Sequence, residues 1–191
     1  SLSGILSGSL SYICSRLEDG IPFSLAVTEA RSKGFTEPDP RDDLSGMDVA
    51  RKMLILGRER GMKWELSDIN VVSPLPAEFD LTGSVDDFLQ RCQGLDGYFS
   101  RRVADLRSRF SGLRFIGSVT GGIGRVALEE IPASDPLYQV RDGENAVSFL
   151  TDRYSPKPLL VRGYGAGPAV TAAGVFADIL KTVFWNTEES E

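Results

Sequence analysis

At 191 residues, 41% apolar and 25% charged, the chain has the size and composition of one globular domain with a sizeable core, with room for a short appended piece. A net charge of -6 argues against nucleic acid, whose phosphates would repel it, and no apolar tract is long enough to span a membrane. Histidine is absent, which makes zinc improbable and leaves proton transfer to Lys, Asp, Glu or Tyr.

The opening SLSGILSGSLSYI shows neither a signal peptide nor an initiating Met, the expected look of a fragment or processed piece. Leu10, Ile13, Cys14 and Leu17 share a helical face that ends at Asp19-Gly20. A second helix is expected from Ser24, as N-cap, to Gly34. Pro38 and Pro40 turn the next stretch into a loop, and a third helix runs from Gly46 to Arg60. After an extended run at Ile69–Val72, a capping-box pattern at Ser84 and Asp87 opens one or two helices that reach Phe110.

Beyond Phe110 the pattern changes. LRFIGSV, TGGIG and RVALEEI read as a hairpin, and AVSFL and PLLVR as two further strands. Helices followed by clustered strands predict an α+β domain with a largely antiparallel sheet. Cys14 and Cys92 lack metal-ligand spacing and read as buried, reduced thiols of a cytoplasmic protein.

The last segment, PLLVRGYGAGPAVTAAGVFADILKTVFW, is strand, glycine loop and helix, the order that brings backbone N–H groups to a pyrophosphate. Gly163, Gly165 and Gly167 make GxGxG only, and too few residues follow for a βαβ unit. The glycines therefore serve either a tight turn or a nucleotide domain whose main part lies elsewhere. Physics alone favours the turn.

The stretch TEPDPRDDLSGMDVARK crowds Glu37, Asp39, Asp42, Asp43 and Asp48 together and then runs into MLIL. Its spacing does not match a calcium loop, and no metal site is assigned. A sugar cleft would want aromatic platforms that the sequence does not offer. Asp48 and Lys52 lie one helical turn apart, so the plain reading is an exposed ion pair worth about 0.3–0.5 kcal/mol. The apolar residues after Lys52 argue instead for an amine near buried surface among fixed carboxylates, a candidate acid–base group.

GFTEPDPRDDLSGMDVARK closely resembles the signature of homoserine dehydrogenases, and SGSLSYI, PLPAEF, LRFIG and GYGAGPAVTAAGVFADIL agree with it. The similarity covers essentially the whole chain and is closest in style to the form fused behind an aspartate kinase. It implies NAD(P)-dependent interconversion of L-homoserine and L-aspartate 4-semialdehyde, on the route to threonine and methionine. The implied fold is the C-terminal domain type of glyceraldehyde-3-phosphate dehydrogenase. Residues 1–160 would form the substrate-binding, catalytic and dimerisation domain, and 161–191 would contribute to a nucleotide-binding Rossmann domain.

The resemblance makes Lys52 the proton donor and acceptor, and Glu37 and Asp48 substrate ligands. Asp43 lies near the substrate, and Gly34 and Gly167 contact NADP or NAD. It also implies a homodimer through the sheet and little activity from these residues alone. Asp39, Arg41 and Asp42 are read as fixing the loop. The competing reading is a non-enzymatic acidic module that binds a cationic small molecule or a divalent metal.

Overall fold

A computed structural model describes residues 1–185, and its centre is a six-stranded mixed sheet in the order β2-β4-β3-β1-β5-β6. The strands are β1 (Leu2–Ile5), β2 (Ile69–Val71), β3 (Ser111–Thr120), β4 (Ile123–Pro132), β5 (Asn145–Phe149) and β6 (Leu159–Gly163). Only β2 and β4 run parallel; every other neighbouring pair is antiparallel. The long hairpin closes with Thr120 opposite Ile123, because Gly121 (φ +58°) and Gly122 (φ +83°) supply the two left-handed residues of a tight two-residue turn.

Helices α1 (Gly8–Glu18), α4 (Met47–Glu59) and α6 (Asp96–Ser108) pack on one face of the sheet, α2 (Phe23–Ser32) packs on α1 and α6, and α5 (Val85–Arg91) packs on α2. Ser7 caps α1 by accepting from the Leu10 N–H at 3.2 Å, and Ser84 and Asp87 form the anticipated capping box on α5. On this face Leu10, Ile13, Phe23, Met53, Phe99 and Phe115 are buried together. Each such side chain contributes about 1.5–3 kcal/mol of transfer free energy. Strand alternation sends Ile5, Ile116, Ile131 and Ala146 to the opposite face, where Leu137 and Val140 of the following loop cover them.

One strand was not anticipated and two local expectations need correction. The strand is β1, read from sequence only as the chain's opening; it lies centrally, between β3 and β5. It is short, and Gly4 is there because a Cβ would lie 2.8 Å from the Ala146 carbonyl oxygen. First, Ser24 is not the N-cap of α2: Pro22 takes that place, and Ser24 donates its N–H and hydroxyl to Asp96 at 2.8 and 2.9 Å. Second, the proline loop contains a one-turn helix, α3 (Pro40–Leu44), because Pro40 sits at a helix start, where its missing N–H costs nothing.

Burial pushes the thiols of Cys14 and Cys92 up to about 12, so both are uncharged hydrophobic fillers. Helix α7 (Pro168–Trp185) follows β6 and the glycine turn, and its apolar Phe176 and Val183 are 61% and 65% exposed. No helix among the described residues is long and apolar enough to cross a membrane. Residues 186–191 of the anticipated C-terminal segment lie outside the described residues.

Candidate active site

Four stretches distant in sequence meet around one cleft of about 410 Å³: the start of α1, the acidic stretch from Lys33 to Lys52, the loop before β5, and the glycine turn before α7. Gly34, Glu37, Asp43, Asp48, Lys52 and Gly167, all nominated from sequence, line it together.

Helix α4 sets the central pair. Gly46 enters it at φ +73°, and a Cβ there would lie 2.7 Å from the Phe115 ring, so the helix starts tight against β3. One turn on, the Lys52 Nζ lies 2.7 Å from Asp48 Oδ2 and donates to the Leu6 carbonyl at 2.8 Å, at the junction of β1 and α1. An ammonium has three donors, so one remains for a ligand oxygen in the cleft. The expectation of an amine against buried surface is met only in part. Val49, Ala50 and Met53 point into the core, but Ile55 is 60% exposed and the Lys52 side chain itself 42%.

The acidic loop is braced from within. Asp43 accepts from the Ser9 hydroxyl at 2.7 Å and from the Glu37 N–H at 2.9 Å, which ties the Glu37 backbone to the start of α1. Asp39 caps α3 by accepting from the Arg41 N–H at 3.0 Å and receives the Arg41 Nε at 2.8 Å. The same guanidinium donates to the Leu81 and Gly83 carbonyls and lies over the Phe88 ring. Hydrogen bonds from the Arg41 side chain hold the Asp39 carboxyl below the usual carboxylate range, against a smaller opposing effect of burial. Asp39 and Arg41 thus fasten the loop, while Glu37 is left turned to the cleft.

Gly34 (φ +73°) and Gly167 (φ +113°) both open onto the cleft, with nothing within 4 Å of the position a Cβ would take. Bare backbone in this conformation, followed at Gly167 by the N-terminus of an 18-residue helix, fits the close approach of a dinucleotide. Among the described residues no group of three or more His, Cys, Asp or Glu is arranged to hold a metal.

Sequence reasoning missed Ser7, Ser9, Lys33, Gly143 and Asn145 as cleft residues. Ser7 and Ser9 fell within a quoted motif, SGSLSYI, yet nothing in their spacing marked them. Asn145 heads a strand far along the chain, and only the fold brings it to the acidic loop.

A family model described as homoserine dehydrogenase matches residues 1–180. The chain belongs to the homoserine dehydrogenase family. It is 53% identical over 180 residues to a bifunctional aspartokinase/homoserine dehydrogenase of Haemophilus influenzae, covering 94% of this chain and 22% of that protein. Among solved structures, a Candida auris protein of unknown function superposes with a TM-score of 0.84 at 37% identity, over 94% of this chain and 52% of that one. Homoserine dehydrogenase of Staphylococcus aureus at pH 7.5 shares the fold with a TM-score of 0.70 at 23% identity, over 96% and 43% of the two chains. The fold is thus the anticipated α+β type, like the C-terminal domain of glyceraldehyde-3-phosphate dehydrogenase. The chain spans about a fifth of the bifunctional relative.

Proposed function

We propose that this chain is the substrate-binding and catalytic part of an enzyme that interconverts L-homoserine and L-aspartate 4-semialdehyde. The observation that carries the reading is the convergence of Lys52, Asp48 and Glu37 with Gly34 and Gly167 on one cleft. Glu37 receives the substrate ammonium through charge-assisted hydrogen bonds, which relieves the crowding of carboxylates. Asp48 orients both the substrate and the amine. Lys52 moves the proton: when neutral it takes one from the hydroxyl of homoserine, and when charged it returns one to the aldehyde oxygen. NAD(P), when bound, would serve as the hydride acceptor or donor. Asp43 completes the acidic wall near the substrate and holds Glu37 in place.

Residues 1–160 act as the substrate and dimerisation domain, and residues 161–191, with the glycine turn and α7, contribute to a nucleotide-binding domain formed largely by another part of the polypeptide, although β6 itself pairs with β5 in the sheet. The exposed apolar residues of α7 fit that role, since such a face calls for a packed partner. The intact enzyme is a cytoplasmic homodimer joined through the sheet. Its likeness to bifunctional relatives supports an aspartokinase in the same polypeptide.

Lys52→Met in the intact enzyme tests the chemistry. Loss of a general acid–base group should lower kcat by about 10²–10⁴-fold while circular dichroism and cofactor binding stay as in wild type. A variant that turns over homoserine at the wild-type rate would refute the assignment.

A further inference from the structure

The glycine turn carries no side chain long enough to fix itself between β6 and α7, apart from the 63% exposed Tyr164. Its conformation must therefore be set from outside. Asn145 is in contact with the turn. A Cβ on Gly165 would lie 2.2 Å from Asn145 Nδ2 and 3.1 Å from its Cγ, so the backbone at Gly165 rests directly on that amide. Asn145 also stands opposite Gly163 in the β5–β6 ladder, one strand step from the turn, and it lines the cleft.

The loop that leads into Asn145 is itself held along its length. Arg141 donates to Glu18 at 2.8 Å, to Asp19 at 2.7 Å and to the Ser15 carbonyl at 3.2 Å, while the Asp142 N–H donates to the Ser15 hydroxyl at 2.9 Å. Arg114, 1% exposed, binds the other Glu18 oxygen at 2.6 Å, so the anchor is part of a buried ion network. Next along the chain, Gly143 is pressed against Phe35, where a Cβ would meet the ring at 2.5 Å. Glu144 then receives the Arg162 Nε at 3.1 Å, which ties the loop to β6. Hydrogen bonding from Arg162 keeps the Glu144 carboxyl below its ordinary range, so this tie persists through neutral pH. Between these fastenings Asn145 has little freedom. Its Oδ1 is buried without a hydrogen-bond partner among the described residues, an arrangement retained at a cost in stability.

We propose that Asn145 is the positioning residue that seats the glycine turn, so that the wall carrying Gly167 is placed by an amide on β5. This deepens the dehydrogenase reading and rests on it. Asn145 does not touch the reacting atoms; it acts through the backbone of the turn. The requirement is mutual, because Gly165 must lack a side chain for the amide to fit.

The test uses the intact enzyme, with NADPH and NADH binding followed by fluorescence. Asn145→Ala should raise the cofactor Kd by about tenfold, because the turn loses the side chain it rests on. Asn145→Leu, which keeps a side chain of the same branching and similar size against Gly165, should recover part of that affinity, a rescue that a merely polar role for the amide would not give. Gly165→Ala should weaken binding similarly, and the double variant should be no worse than Gly165→Ala, because both changes break one contact. Wild-type affinity in Asn145→Ala, no recovery in Asn145→Leu, or additive losses in the double variant would each overturn the proposal. An intact wild-type enzyme that binds neither cofactor would sink the dehydrogenase reading and this proposal with it.

Discussion

Asp43 lines the cleft, yet both its oxygens are occupied by donors of the protein, Ser9 at 2.7 Å and the Glu37 N–H at 2.9 Å. The perturbation that separates a ligand from a brace is therefore Ser9→Ala, since Ser9 reaches the acidic loop only through Asp43. A hydrogen bond to a charged group contributes about 1.5 kcal/mol at the low end of its range, equivalent to about tenfold in a rate or binding constant. Ser9→Ala should lower kcat/KM for homoserine by up to about tenfold. Asp43→Ala removes two such bonds, about 3 kcal/mol, and should lower it by roughly a hundredfold. The double variant should match Asp43→Ala, because the Ser9 bond is already gone. Steady-state kinetics with homoserine and with the semialdehyde, at saturating cofactor, provide the readout, and a thermal melt controls for folding. An unchanged Ser9→Ala beside a disabled Asp43→Ala would mean that Asp43 meets the substrate directly, and the bracing argument would fail.

Two further outcomes follow from packing and charge. Gly117→Ala places a Cβ 2.4 Å from Met53 Cγ under helix α4, so overpacking should cost about 1–3 kcal/mol, seen as a lower melting temperature of the intact enzyme. Because Lys52 is the neighbour of Met53, activity should fall in parallel; a full-strength melt would show that the core yields more easily than its burial suggests. The Asp39 carboxyl, depressed by Arg41, contributes stability that is present above the ordinary carboxylate range and is lost as pH falls through its lowered folded value. Asp39→Asn should therefore weaken the loop at neutral pH and converge with wild type in strong acid, as followed by limited proteolysis near Arg41. A constant difference between the two at every pH would contradict this.

Local signals of high information content survived the passage from sequence to structure. The hairpin was legible because two adjacent glycines between apolar runs admit few alternatives, and the capping box because Ser84 and Asp87 satisfy each other's backbone donors. The acidic stretch was legible because Gly34 to Lys52 is contiguous, so one motif carries most of the proposed chemistry. What stayed hidden was set by distant partners. Ser24 has the chemistry of a cap, but Asp96 claims it from another helix. Strand β1 offers four residues, one of them glycine, and is a strand only because β3 and β5 stand on either side. Asn145 carries no local mark at all, since the acidic residues that share the cleft with it come from more than ninety residues earlier in the chain.

The position of β1 has a temporal consequence. Its ladder partners Val119 and Phe149 leave the ribosome long after Leu2, at synthesis rates of about 5–20 residues per second. Until then the nascent strand has unpaired edges on both sides, and the Lys52 amine lacks the properly fixed Leu6 carbonyl that holds it. The Lys52 amine thus meets the carbonyl that holds it in its final place only after β5, almost a hundred residues further along the chain, has been made and paired.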